Sequence, residues 1–432
     1  MTNPLPVQPD EISYMADDDL VLGVYLNGEA RAYPLRLGWN HEVINDKLND
    51  HFISVSYGPL TGSGLNLEAT ATDGRQVEYG VSGFLLNSNL VIFDLEDNTL
   101  YPQMVFTGLN GARKGDQLKP LPVIETTWSL WKKMYPNTTV PKAGTGLGRF
   151  SAALQTAFAR EGTYLGDPYG EYRVDDDDVP FPPPQGFDHR LRNKDIVMGI
   201  CADEKNKVYP LDHMPDGAVI NDQLGDLYHV VVFDSTSRTA LTYNREFDGD
   251  VHYFFGVESE SDLPIEFIDD VTGSRWNMRG EAVAGPAAGR RLEPVVTTNA
   301  MWFAWSGFFS RATIWAGEGA LDVEITAIEE DPQRVLPVEF ALSQNFPNPF
   351  NATTRLDYQL PHAGPVRLRL YNTLGQHVRT LVDEAGHAPG FHSSVWDGRA
   401  ANGRDAASGE YLYRLEAPGS GFSRTRAMVL IR

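Results

Sequence analysis

Residues 21–58 read VLGVYLNGEARAYPLRLGWNHEVINDKLNDHFISVSYG, and residues 197–234 read VMGICADEKNKVYPLDHMPDGAVINDQLGDLYHVVVFD. At an offset of 176 residues the two segments align without a gap, with twelve identities among 38 pairs. Gly23 meets Gly199, Tyr33-Pro34-Leu35 meets Tyr209-Pro210-Leu211, and Val43-Ile44-Asn45-Asp46 meets Val219-Ile220-Asn221-Asp222. Further on, Leu118-x-Pro120 answers Leu292-x-Pro294, and Trp128-x-x-Trp131 answers Trp302-x-x-Trp305. Order is kept and the offset drifts by only two residues, which is the mark of an internal duplication.

Each copy follows one plan. A β run (Val21–Tyr25, Ile196–Cys201) leads to Tyr-Pro-Leu, where proline ends the strand because it has no N–H for the ladder. A turn-rich segment closes on Asn-Asp, both good turn formers. A second strand follows, Phe52–Tyr57 or Tyr228–Phe233, and each copy finishes with an aromatic helix, Thr126–Tyr135 or Asn299–Phe309. The paired tryptophans stand three residues apart on one helical face and read as core anchors. Between the copies, Asp175-Asp176-Asp177-Asp178 and Pro182-Pro183-Pro184 read as an exposed linker, since adjacent carboxylates repel and prolines stiffen the chain.

After residue 340 the pattern changes. Short alternating runs, Thr354–Leu360, Val366–Tyr371, His392–Trp396, Tyr411–Ala417 and Thr425–Ile431, are separated by Gly and Asn turns. That spacing predicts an antiparallel sandwich. The expected fold is therefore α+β and predominantly β: an internally duplicated β-rich body with pseudo-twofold symmetry, then an immunoglobulin-like antiparallel β-sandwich. The divisions fall at 1–19 for a lead-in, 20–173 for copy one, 174–195 for the acidic and proline-rich linker, 196–316 for copy two, 317–340 for a second linker and 341–432 for the sandwich.

Composition narrows the function classes. The 432 residues carry a net charge of −22; ten Arg against seven acidic residues from Phe340 onward leaves −25 on residues 1–339. Such a body repels nucleic acid and anionic lipid, so neither is expected as a partner. No apolar run approaches the length of a membrane span. The single cysteine, Cys201, sits in the apolar run Ile196–Cys201 and reads as an inert core thiol; one cysteine excludes an internal disulfide and any cysteine-rich metal cluster. The first residues, MTNPLPVQPDE, have neither the basic nor the apolar segment of a signal peptide, so for an exported protein that peptide is expected to lie outside this sequence.

Several strings of the body occur in order: Gly28-Glu29-Ala30-Arg31-Ala32-Tyr33-Pro34-Leu35, His41-Glu42-Val43-Ile44-Asn45-Asp46, Tyr79-Gly80-Val81-Ser82-Gly83, Asn87-Ser88 and Asp167-Pro168-Tyr169-Gly170. With Asp270-x-Thr272-Gly273-Ser274 and Gly280-Glu281-Ala282 of copy two, they make the span from about Asp17 to Trp315 resemble the domain-of-unknown-function 3179 family. The resemblance implies a fold and little chemistry, because the family has no established activity. Its members typically carry cysteine at the position of Gly58, and some carry cysteine or selenocysteine at the position of Thr61, a pattern suited to thiol redox chemistry. This chain has neither sulfur. In the tail, Asn345-x-Pro347-Asn348-Pro349-Phe350-Asn351, Tyr371-Asn372-x-Leu374-Gly375-Gln376, Trp396-Asp397-Gly398-Arg399 and Ser408-Gly409-x-Tyr411 resemble the sorting domain of type nine secretion cargo and the immunoglobulin-like module of flagellar hook-capping proteins. That resemblance implies the type nine machinery as partner and an extracellular or outer-surface location.

For chemistry, no phosphate loop, zinc-protease helix or serine elbow occurs. The sharpest local constellation is His41-Glu42, a base with an orienting carboxylate, because copy two has Gly217-Ala218 there and a feature of one copy alone is the better candidate for function. Asn45, Tyr57, Thr61, Ser63, Ser82, Asn87, Ser88 and Gln103 are candidate ligand-binding residues around it. They are equally suited to satisfying turn backbones. The cofactor is unknown and no metal-ligand set is expected. His41, Glu42, Tyr57, Thr61, Ser63 and Gln103 are expected to share one pocket, with apolar or small residues filling its counterpart in copy two. Three readings stay open: an extracellular binding or scaffold protein, an extracellular enzyme using the His/Glu pocket with or without a metal, and a redox-family member without its reactive sulfur.

Overall fold

The computed structural model describes residues 1–71, 74–147, 167–184, 186–317, 340–342, 345, 350 and 354–430. Most of the expected linker 317–340, Pro347–Pro349 and Asn351 of the tail motif, and Ile431 lie outside the described residues. The chain divides into two compact units, residues 1–325 and 326–432.

In the first unit, copy one opens with a hairpin, β1 (Leu20–Leu26) and β2 (Glu29–Pro34), turned at Asn27 and Gly28, both at positive φ. After α1 (Leu35–His41) come the antiparallel strands β3 (Val43–Leu48), β4 (His51–Gly58) and β5 (Ser63–Glu68). A smaller sheet follows, β6 (Tyr79–Leu86), β7 (Asn89–Asp94) and β8 (Leu100–Pro102). The short β9 (Pro120–Leu121) edges β5, and β10 (Ile124–Thr127) returns to pair with β1 before α2 (Trp128–Met134). The short α3 (Gly170–Val174) stands between the copies.

Copy two follows the same order, with a short 3-10 turn (Leu211–His213) where copy one has α1 and four strands instead of three in its smaller sheet. β11 (Ile196–Ala202) pairs with β12 (Lys205–Pro210); β13 (Ala218–Leu224), β14 (Leu227–Asp234) and β15 (Thr239–Asn244) form the meander. β16 (Phe254–Val257), β17 (Glu266–Asp269), β18 (Arg275–Asn277) and β19 (Ala282–Ala284) make the smaller sheet. β20 (Thr298–Met301) pairs back on β11 and leads into α4 (Trp302–Phe308), after which the short β21 (Thr313–Ile314) runs parallel to β12. The registers agree residue for residue: Val21 faces Pro34 as Val197 faces Pro210, Val43 faces Ser56 as Val219 faces Val232, and Gly58 faces Ser63 as Asp234 faces Thr239.

The shared residues earn their repetition by packing. A Cβ on Gly23 would stand 2.1 Å from the Trp131 ring, and a Cβ on Gly199 would stand 2.1 Å from the Trp305 ring, so each tryptophan lies flat on a strand that must carry glycine. Contacts between the copies are reciprocal. β10 lies against β15 and β20 against β5. Thr239 Oγ1 donates to Thr126 Oγ1 at 2.7 Å, and Met301 N–H donates to the Thr61 carbonyl at 2.8 Å. Trp128, Trp131 and Met134 of copy one enter one buried cluster with Val230, Val232, Phe254, Phe267 and Trp276 of copy two.

Four details depart from the sequence reading. Asn45 and Asn221, with the aspartates after them, lie inside strands rather than in turns. The aromatic helices start at Trp128 and Trp302, because the residues before them are taken by the strand ladder. Cys201 is exposed rather than in the core: burial along β11 is complete from Val197 to Ile200 and ends as the chain approaches the Asp203-Glu204 turn. The acidic and proline-rich segment is partly packed. Val179 is buried, Asn193 Nδ2 donates to the Asp176 carbonyl at 3.0 Å, and the Lys194 ammonium donates to the Asp178 carbonyl at 2.8 Å.

The second unit is an antiparallel sandwich. One sheet holds β22 (Ala341–Leu342), β23 (Thr354–Leu360) and β26 (Gly390–Trp396); the other runs β25 (His377–His387), β24 (Gly364–Asn372), β27 (Gly409–Ala417), β28 (Phe422–Leu430). Leu356, Leu368, Leu370, Trp396, Tyr413 and Met428 fill the space between them. Asp397 pairs with Arg379 at 2.6 Å, and the Asn402 side chain accepts from the Arg404 N–H at 3.0 Å, so both serve the loops.

Candidate functional site

The alternation of β4 and β5 turns Ser56 and Ser63 inward, and β4 ends at Gly58 above a tight turn in which Thr61 N–H donates to the Gly58 carbonyl at 3.1 Å. Without a side chain, Gly58 leaves room that polar groups occupy. A Cβ there would meet Thr61 Oγ1 at 2.9 Å, Gln103 Oε1 at 3.0 Å and Ser63 Oγ at 3.0 Å. These groups bond to one another. The Thr61 and Ser63 hydroxyls are 2.8 Å apart, Ser63 donates to Gln103 Oε1 at 2.7 Å, and Gln103 Nε2 donates to Ser56 Oγ at 2.9 Å. Asn89 Nδ2 points at Thr61, Ser63 and Gln103 at 2.9–3.0 Å. Every member of this cage is at most 1 % exposed. All are neutral, and the acceptor beside Ser63 is an amide oxygen, which is no general base. A satisfied buried network of this kind rigidifies a core; it activates no nucleophile.

Three of the expected six residues, Thr61, Ser63 and Gln103, are thus together. Glu42 and Tyr57 form a second group: they line a small cavity of about 10 Å³ with Tyr33, Gly38 and Ser56, room for one water molecule. Ser56 links it to the cage. Glu42 takes positive φ, donates its N–H to Gly38 and accepts from Tyr57 N–H at 2.8 Å. Burial raises the Glu42 carboxyl above its usual range. His41 ends α1, is buried, and is held neutral chiefly by desolvation, its pKa lowered to about 3.

The other candidates serve the scaffold. Asn45 clamps Tyr79, donating to its carbonyl and accepting from its N–H at 2.9 Å each. Asn221 does the same to Phe254 at 2.8 Å each. Ser82 donates to the Val91 carbonyl. Asn87 and Ser88, both at positive φ, turn the β6–β7 hairpin and tie it down, to Gly307 at 2.9 Å and Phe181 at 2.7 Å.

Sequence reasoning missed Ser56, Asn89, Glu125 and Asp234. Glu125 of β10 and Asn299 of β20 occupy equivalent strand positions and interact across the copies; burial lifts the Glu125 carboxyl to about 7 against the favourable bond from Asn299. Oε2 of Glu125 is enclosed with no hydrogen-bond partner among the described residues. Asp234 is the larger surprise. It replaces Gly58 in copy two and keeps the hydroxyl pair, with Ser237 and Thr239 for Thr61 and Ser63, 2.7 Å apart. Instead of an apolar plug, this counterpart borders a cleft of about 400 Å³. The signal was available, since Gly58 opposite Asp234 is the last pair of the alignment.

Comparison with known proteins agrees with the division of the chain. The profile of a family described as protein of unknown function (DUF3179) matches residues 2–312, and that of the FlgD Ig-like domain matches residues 347–421. No curated protein matches. Among solved structures, FlgD from P. aeruginosa is similar at 22% identity and a TM-score of 0.15, covering 18% of this chain and 58% of its own. Dimeric latent PorU from Porphyromonas gingivalis is similar at 10% identity and a TM-score of 0.19, covering 96% and 34%. PorZ of the same organism, an essential surface component of its type-IX secretion system, is similar at 12% identity and 0.16, covering 95% and 56%. The chain spans less than two thirds of the length of each.

Proposed function

The chain belongs to the DUF3179 family, and on that premise we propose that it is an exported or cell-surface binding protein. Its body is the binding scaffold, and its C-terminal sandwich is the sorting domain read by the type nine secretion machinery. The observation that carries the binding reading is the cage around Gly58. Where the resemblance places a reactive cysteine, this chain has a glycine enclosed by five neutral side chains that satisfy one another. The region is thereby built for rigidity, which suits a family member that has given up thiol chemistry. No helix among the described residues is long and apolar enough to cross a membrane, and the acidic body suits an aqueous surface location.

The test uses a bacterium with an active type nine system. A passenger protein with a signal peptide, fused to residues 340–432, is expected at the cell surface or in the medium. The same passenger without the tail is expected to stay in the periplasm. Equal export of both ends the sorting proposal.

A further inference from the structure

We propose that the cleft beside Asp234 binds a small cationic ligand through its ammonium group. This deepens the binding reading above and rests on it. The cleft, about 400 Å³, lies where α2 of copy one meets the Asp234 turn of copy two; its walls include Ser129, Lys133, Asp234, Thr236, Ser259 and Asp262.

Asp234 is the key group. It is only 7% exposed. One carboxylate oxygen, Oδ2, accepts from the Ser237 N–H at 2.9 Å and from the Ser237 hydroxyl. The Ser237 and Thr239 hydroxyls are 2.7 Å apart, and the Thr239 and Thr126 hydroxyls likewise stand 2.7 Å apart across the copies. The bonds of this carboxylate among the described residues all fall on Oδ2, and Asp234 lines the cleft. The contrast with copy one shows what the site gains. There, Gly58, Thr61 and Ser63 are closed over by Asn89 and Gln103. Here the hydroxyl pair survives, a carboxylate is added, and Asp234 and Ser237 line the cleft.

A mostly buried carboxylate with one oxygen not committed to the protein can exchange water for a stronger, charged donor. An ammonium group supplies three donors and the compensating charge. The hydroxyls of Ser129, Thr236 and Ser259 stand by as further acceptors, and Asp262 adds a second negative charge at the exposed rim. Lys133 is the one cationic side chain of the lining; it is exposed and free to extend into water. Anions meet two carboxylates and are disfavoured. The acidic body raises the local concentration of any cation.

The test is calorimetric titration of the purified full chain with spermidine, at low and high ionic strength, with glucose and calcium chloride as comparison ligands. Spermidine is expected to bind, more weakly as salt rises, and Asp234→Asn is expected to weaken it by at least about tenfold. Asparagine still accepts from Ser237, so the turn is kept; should that variant misfold, Thr236→Trp, which plugs the cleft from an exposed turn, is expected to abolish binding. The proposal is overturned if spermidine shows no binding, if either folded variant binds it as the parent does, or if glucose or calcium binds more tightly. The measurement needs no export, so failure of the sorting proposal leaves it readable.

Discussion

Gly58 shows how much a missing side chain can organise. Its place is taken by oxygen atoms 2.9–3.0 Å from where a Cβ would stand, and the one long side chain among them, Gln103, is held by Ser56, Ser63 and Asn89. Gly58→Ala is therefore expected to destabilise the body by about 1–3 kcal/mol, through displacement of the cage rather than loss of any contact. Urea denaturation measures it; a neutral result means that the cage yields. Two titratable groups bias stability in opposite senses. His41, lowered from 6.5 to about 3, binds its proton more readily unfolded, so stability falls as pH drops from 6.5 towards 3. Glu125, raised from 4.5 to about 7, holds its proton more readily folded, so its contribution is full below 4.5 and is lost as pH rises to 7. Glu125→Gln keeps the bond from Asn299 and removes the titration. The variant is expected to gain roughly 1–3 kcal/mol on the parent between pH 4.5 and pH 7. Parallel stability curves would refute this.

At the scale of elements, the two asparagine clamps decide how the small sheets are hung. Asn45 and Asn221 each grip both backbone groups of the first residue of a strand, Tyr79 or Phe254. Replacing either by alanine strands two backbone groups, and a loss of about 2 kcal/mol or more is expected. Amide exchange at Tyr79 or Phe254 should quicken locally in the matching variant; unchanged exchange at both would remove the clamp argument. The strands of the meander were legible in the sequence because β4 and β14 are continuous apolar or alternating runs. The Asn27-Gly28 hairpin is legible too, as a turn pair requiring positive φ. β25 was not legible. Its eleven residues are mostly half-buried or exposed at a sheet edge, so no period of two marks them. The aspartates after Asn45 and Asn221 misled for another reason. Asp46 is bound by Arg31 and Tyr33 at 2.7 and 2.8 Å, and Asp222 by Lys207 and Tyr209 at 2.6 Å each, so tertiary partners override turn propensity. The cage was half visible: Thr61, Ser63 and Gln103 stood out, but Ser56 and Asn89 join only through folding.

For the whole molecule, the division into units 1–325 and 326–432 sets the last prediction. A chain ending at residue 316 is expected to keep the thermal transition of the body, within about a degree or two, because each unit closes its own core. A lowered transition in scanning calorimetry would mean that the tail supports the body. Inside the body the opposite holds. Each copy leaves one strand edge and one aromatic surface to be covered by the other, β5 by β20 and β15 by β10. A ribosome that has released only copy one therefore presents Trp128 and the end of β5 beyond β9, with β20 not yet made to lie against it. Such a half-made product is sticky and needs a chaperone until residue 301 has emerged. Conversely, the two halves made as separate polypeptides should find each other, since each is the other's missing template.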